Sequence, residues 1–394
     1  MLMTTVDAQT VVVGAGAIGS ATAYWLAERG QTDVVVLEQY DLGHGNGASQ
    51  DHSRAIRHSY HDNAYGRLTQ AAFDNWDRLV RMSGQQVLLR TGGVEIGLKG
   101  TVGEEMIARY RKVLDDRGHA YERWDNARLA EHYPQWHVDE PAEVTFQRDM
   151  GLVDIGRAGQ THRALASALG VTFRPRTRAI RIESLPDGVR VHTDGGGSVT
   201  ARHVVVAAGA WSDTILAEVG QTWRTTISQE QVAYFVPRAL RDFTPDAFPV
   251  WGWYGPTLFY GFPVYGEVAV KIARDVSGRF VTHETRSLEP VADETELLEA
   301  FLRERLPDAA GFELYSKTCV YDMPPDRNFV IDAMPGNPRV VVGIGAGHAA
   351  KFAGLFGEIL SELVVEGTSR YPIEPFTADR PALTDPSYKP VFAL

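Results

Sequence analysis

Cysteine is almost missing from this chain. Cys319 stands alone among 394 residues, which excludes an internal disulfide and every zinc motif built on cysteine pairs, and which fits a reducing compartment. Positive charge is scarce as well: 39 Lys and Arg face 50 Asp and Glu, for a formal charge of -11. Nothing therefore draws the whole protein towards nucleic acid or anionic lipid, and any anion site must be local. No apolar run reaches the ~18 residues a membrane helix needs. The opening MLMTTVDAQT has no basic leader, no long apolar stretch and no small-residue cleavage site, so a cytoplasmic location is expected. GxSxG, P-loop and HExxH motifs are also missing, which removes the common hydrolase and NTPase signatures. His44, His52, His58 and His61 lie close in sequence, but their spacing matches no standard ligand motif and no carboxylate cluster accompanies them, so no metal is expected.

What the chain does carry is an ordinary globular balance, 44% hydrophobic and 23% charged, at a length that suits two domains of roughly 100 to 200 residues each. It opens with a βαβ unit. Thr10 to Val13 is an apolar, β-branched run; glycines follow; a helical segment runs to Arg29; Gly30 stops it; and Asp33 to Glu38 reads as the next strand. Gly14-Ala-Gly16-Ala-Ile-Gly19 follows the first strand and opens the helix, where backbone N–H groups and the helix dipole can hold a pyrophosphate. Glu38 closes the second strand, in place to accept hydrogen bonds from ribose hydroxyls. This fingerprint does not separate NAD from FAD. Two later features favour FAD: Val204 to Gly209, a strand ending in small residues that let a ligand approach the backbone, and the Gly343 to Gly347 turn, whose following helix would favour a negatively charged reduced flavin.

Between these landmarks, Gly43 to Tyr60 is a long loop rich in Gly, Asn, Ser and His, a length that suggests function rather than simple connection. Residues 62–82 carry a helical pattern, and Arg90 to Leu98 alternates like a strand. Residues 171–206 read as a meander with turns at Pro186-Asp-Gly and Asp194-Gly, returning to the first sheet. Residues 223–280 read as short strands of a second sheet. Their aromatic stretch, Val250 to Tyr260, either walls a large apolar pocket or forms that domain's core. Near the end, Arg339 to Gly347 reads as a strand into a glycine turn and Ala349 to Val365 as a helix.

Five motifs occur in one order: GAGAIG, NGASQDHSRAIRHSY (Asn46 to Tyr60), YGFP (Tyr260 to Pro263), TCVYDMPPDRNFVID (Thr318 to Asp332) and GHAAKF (Gly347 to Phe352). Together they make the chain resemble, over nearly its whole length, the monomeric sarcosine oxidase and N-methyltryptophan oxidase family of covalent FAD amine oxidases. The resemblance implies that Cys319 forms a thioether to the flavin's 8α-methyl carbon, with Lys317 and the glycine-rich helix start compatible with the thiolate this requires. It implies that Arg57 and Lys351 clamp the substrate carboxylate, a planar fork and a point charge. It places Arg54 near the flavin ring and makes Lys271 the cation that favours electron transfer to O2. On its strand, Lys271 shares a face with Ala269 and Ala273, small neighbours that leave room above it. Tyr260 and Tyr321 match tyrosines lining the substrate side.

The chain also departs from the family. Gln50 and Asp275 stand where sarcosine oxidases place histidines, which puts flavin attachment and specificity in question. Ala349 and Ala350 replace a Gly-Phe pair and open space beside Lys351, so sarcosine itself is not the expected substrate. The fold expected is α/β, with a Rossmann-like FAD-binding domain (1–90, 150–222, 325–394) interleaved with an α+β substrate domain on an antiparallel or mixed sheet (91–149, 223–324). The cofactor-binding residues are Gly14, Gly16, Gly19, Glu38, Arg54, Cys319, Gly347 and Lys351. The expected activity is oxidation of an N-substituted amino acid to an imine, with O2 reduced to H2O2, by a monomer that binds neither nucleic acid nor membrane. Alternatives are a flavin dehydrogenase, a primary-amine or D-amino-acid oxidase of the same fold, and a nicotinamide-dependent dehydrogenase.

Overall fold

The computed structural model describes residues 7–221, 223 and 225–392. The expected leader-free start at residues 1–6 and the extreme ends of two predicted domain segments lie outside this range. Three sheets organise the chain. The first has eight strands, with Ala8–Val13 paired in parallel to Val34–Leu37 on one side and Ser198–Val206 on the other. Thr172–Arg174 and Asn337–Ile344 extend the parallel core, while Ala179–Leu185, Gly188–Thr193 and Val330–Met334 add antiparallel hairpins. Strands such as Val34-Val-Val-Leu37 are apolar throughout because both faces are covered. One cover is the helix Ala17–Glu28, whose small residues let it pack tightly against Ala353–Glu366. A Cβ on Gly357 would come within 2.4 Å of the Ala21 backbone, so glycine sets that approach.

The second sheet has nine strands, mostly antiparallel. Thr226–Phe235 lies between Glu313–Met323 and Val270–Arg274; the sheet continues through Leu258–Phe262, Val250–Tyr254, Gly93–Leu98, Ala142–Gln147 and Glu122–Trp124. A third sheet of three short strands, Arg54–Ile56, Gly151–Val153 and Leu88–Arg90, carries the start of the basic motif. The long helix Asn63–Ser83 follows it, opened by the Asp62 side chain accepting from the Ala64 N–H and closed by Gly84 in the left-handed region.

Three sequence expectations change. The alternating strand over Arg90 to Leu98 is two strands, split at Gly92, whose φ is 71°. Gly93–Leu98 is buried along both faces, because helix Val102–Arg117 packs on the sheet there. The helix expected from Ala349 begins as a 3-10 turn, Ala349–Phe352, and becomes α-helical only at Ala353, a common tightening at helix starts. Trp251, Trp253 and Phe259 pack on Trp136 and Phe301 inside the second core, so these members of the aromatic stretch are core. Its last member, Tyr260, faces a cavity.

Candidate active site

One cavity runs from the glycine fingerprint to Cys319. At one end Gly14 has a φ of 100°, and a Cβ there would meet the Ala207 carbonyl oxygen at 2.5 Å, so the turn admits only glycine. Gly14 and Gly16 line the cavity. Gly19 does not; its missing Cβ makes room for the Gly14 carbonyl. Glu38 lines the cavity and accepts from the Ala15 N–H at 2.8 Å and the Tyr40 N–H at 3.0 Å. Burial raises its pKa, but the His44 ring and these two amides outweigh it and hold the carboxyl below its usual range. Arg163, which the sequence did not single out, also reaches this end; its N–H groups make only long bonds, 3.4 Å to the Ala15 carbonyl and 3.3 Å to Ser20 Oγ. Burial pushes its guanidinium below the ordinary value. A pyrophosphate over the fingerprint would supply such a cation with an anion beyond the nearby Glu38.

At the other end, strand Glu313–Met323 brings Cys319 and Tyr321 to the cavity and strand Leu258–Phe262 brings Tyr260. The two tyrosine hydroxyls are 3.4 Å apart. Gly347, with a φ of 79°, packs on the Tyr321 ring, where a Cβ would fall 2.4 Å from Cγ. Burial pushes the Cys319 thiol up to about 11, with Arg54 and Lys271 opposing it. Lys317, expected to help stabilise a thiolate, is 2.9 Å from Asp51 and borders a small cavity together with Cys319. Arg54 and Gln50 line the cavity, and Arg54 donates to the Gln50, Ala48 and Ser53 carbonyls.

Lys271 stands behind this wall and is 2% exposed. The room expected above it is filled: its ammonium lies 2.6 Å from Asp51 Oδ2 and donates to the Ser53 carbonyl at 2.8 Å. Asp51 is another residue that sequence reasoning missed. Its only signal was its place inside the NGASQDHSRAIRHSY motif, where an aspartate reads as solvated loop.

Arg57 and Lys351 are brought together over Tyr60, whose ring centroid is 5.7 Å from the Arg57 guanidinium carbon and 5.2 Å from Lys351 Nζ. Arg57 donates to Tyr254 Oη at 2.8 Å and Tyr110 Oη at 3.1 Å, and it pairs with Glu95 at 3.1 Å. Lys351 donates to Tyr60 Oη at 2.9 Å and the His348 carbonyl at 3.1 Å. Burial, reinforced by the Arg57 charge, holds the Lys351 ammonium well below its ordinary pKa. Neither cation borders the cofactor cavity directly, but Ala349 and Ala350, just before Lys351, do. Glu95 had a readable signal, a lone carboxylate in the apolar run Gly93-Val-Glu-Ile-Gly-Leu98. Asp275, expected where sarcosine oxidases place a histidine, is a paired carboxylate. Both its oxygens accept from Arg327, at 2.8 and 2.9 Å, and Arg327 is 1% exposed. Among the described residues no group of His, Cys, Asp and Glu could hold a metal, and no helix is long and apolar enough to cross a membrane.

Residues 9–363 match the family described as FAD dependent oxidoreductase. Monomeric sarcosine oxidase from Streptomyces avermitilis is 30% identical over 378 residues, covering 94% of this chain and 97% of that protein. N-methyl-L-tryptophan oxidase from Salmonella arizonae is 28% identical over 377 residues, covering 94% and 98%. Among solved structures, NikD, an unusual amino acid oxidase essential for nikkomycin biosynthesis, matches in its open form with a TM-score of 0.84 at 26% identity, over 95% of this chain and 98% of that one.

Proposed function

The chain belongs to the FAD dependent oxidoreductase family, and from that premise we propose that it oxidises N-substituted α-amino acids at the carbon next to nitrogen and passes the electrons to O2. It is an FAD-dependent oxidoreductase acting on amines; the N-substituent and the acceptor are the reading offered here. When bound, FAD supplies the oxidant, taking a hydride equivalent from that carbon. The protein supplies position and charge.

Gly14, Gly16 and the first amides of helix Ala17–Glu28 would hold the pyrophosphate, with Glu38 on the ribose and Arg163 over the phosphates. Cys319 would tether the ring end through a thioether, and Arg54 and Gln50 would edge it. Arg57 and Lys351 would grip the substrate carboxylate. Tyr260 and Tyr321 would bound the amine, and Lys271 would assist O2. The imine product then hydrolyses in water.

The observation that carries this reading is the pair of partly buried basic groups sharing Tyr60, of which Lys351 has no carboxylate within ion-pair distance among the described residues. A basic group whose protonation is disfavoured for want of a counter-ion fits a carboxylate-bearing substrate, which would supply one. A screen of N-methyl and cyclic amino acids against their primary-amine parents, read by peroxide release, tests it. Turnover confined to N-substituted acids is expected. Turnover of primary amino acids alone, or of amines lacking a carboxylate, contradicts the reading.

A further inference from the structure

Asp51 stands in an unusual place. Its backbone has a φ of 139°, a region that L side chains rarely adopt, and it is 4% exposed. Such a conformation costs roughly 1–3 kcal/mol and persists only where the surroundings over-determine it. Here they do. Lys271 reaches Oδ2 at 2.6 Å and Arg54 reaches it at 3.1 Å; Lys317 reaches Oδ1 at 2.9 Å; the His52 N–H donates to Oδ1 at 2.9 Å; and the Tyr234 hydroxyl donates there too. Four separate segments converge on one carboxylate. Tyr315 lies tilted against Tyr234 and donates to Glu267, which the His52 ring also meets at 3.2 Å. Asp51, Arg54, Lys317 and Cys319 also border a small cavity of about 40 Å³, enough for a water or a dioxygen molecule.

We propose that Asp51 is a positioning residue for the oxygen half-reaction, the counter-ion that keeps the Lys271 ammonium charged and fixed in the wall beside Cys319. The idea rests on the oxygen role given to Lys271 above. In that step O2 takes two electrons from the reduced cofactor and two protons, one from the cofactor and one from solvent or a side chain, and leaves as H2O2. A nearby positive charge favours the first electron transfer. Lys271 is a poor candidate for charge by itself, since burial and the neighbouring Arg54 and Lys317 all oppose its protonation; Asp51 is what opposes them, and the balance with Asp51 in place leaves the ammonium at about 8. Asp51 is held well below the ordinary carboxylate range by Lys271, Arg54 and Lys317, against its own burial, so it stays ionised throughout the working pH range. The sign follows. Without Asp51, Lys271 loses its proton at lower pH, and the cation is missing when O2 arrives.

The chain has six lysines, so holoenzyme labelled with 13C at lysine Cε resolves Lys271, assigned by its loss in Lys271→Met. In Asp51→Asn the Lys271 titration midpoint falls by at least about one pH unit. Reoxidation of dithionite-reduced holoenzyme by O2 then slows at least about threefold at pH 7.5, the loss of charged form that a one-unit fall from about 8 gives, and recovers at pH 6. Lys317→Met combined with Asp51→Asn removes one of the cations set free and repeats the test if Asp51→Asn alone does not fold. An unmoved midpoint overturns the proposal, as does slow reoxidation in Lys271→Met with normal reoxidation in Asp51→Asn. If the Lys271 midpoint shifts but neither variant reoxidises slowly, the oxygen role of Lys271 fails, and the assignment of Asp51 to that step fails with it.

Discussion

Burial and the Arg57 charge depress Lys351, so above its lowered pKa the free protein holds this side chain neutral. A carboxylate bound against it restores the charge, and binding then takes up a proton. Affinity for a simple carboxylate such as benzoate should therefore weaken as pH rises through and above that value, by up to about tenfold per pH unit. Calorimetry in two buffers of different ionisation enthalpy measures the uptake; affinity independent of pH with no proton taken up contradicts the role given to Lys351. Cys319 makes an independent claim. Acid-precipitated protein should carry the yellow colour in the pellet, and Cys319→Ser should leave it in the supernatant; colour released from the parent protein refutes the tether. Neither claim needs the substrate to be known.

Elements position these residues through glycines and strand register. Cys319 and Tyr321 face the cavity together because they are two apart on Glu313–Met323, paired with Glu230 and Ser228 of the neighbouring strand. Gly347 lets the last glycine turn lie on the Tyr321 ring. Gly347→Ala adds a methyl at a positive φ and drives it into that ring, so it should destabilise the fold by about 1–3 kcal/mol and raise KM for substrate more than it lowers flavin content. Thermal unfolding and KM, each measured beside flavin absorbance, check it; an unchanged KM contradicts the placement of Tyr321. At this scale the sequence is legible where its signals are local. The fingerprint, Glu38 and the helix from Asn63 follow from spacing and end signals a few residues apart. The status of Gly93–Leu98 as a doubly covered strand was not legible, because its burial depends on helix Val102–Arg117 and on the partner strands Val250–Tyr254 and Ala142–Gln147.

For the whole molecule, the decisive contacts join segments that the sequence keeps far apart. Lys317 and Asp51 are separated by 266 residues, and no pattern along the chain announces that they meet. Asp275 and Arg327 tie the end of a strand in the second sheet to the loop leading into Val330–Met334 of the first. A loop arginine reads as solvated from sequence, and only the folded chain shows it sealed in. Asp275→Asn leaves that guanidinium buried without its partner and should cost about 3 kcal/mol or more, seen as a lowered Tm. Adding Arg327→Met should recover part of the loss, and a Tm unchanged by Asp275→Asn contradicts the pairing. The family resemblance supplied roles for Arg57, Lys351 and Lys271, while Glu95 and Asp51, the counter-charges of Arg57 and Lys271, came from the structure. The central claim is that this fold oxidises an N-substituted amino acid and hands the electrons to O2. It is tested most directly by a single turnover: holoenzyme is mixed anaerobically with a responsive N-methyl or cyclic amino acid, and air is then admitted. Bleaching of the flavin absorbance on mixing is expected, then rapid recovery with one H2O2 per flavin. Bleaching without peroxide on aeration, or no bleaching with any N-substituted acid, would contradict it.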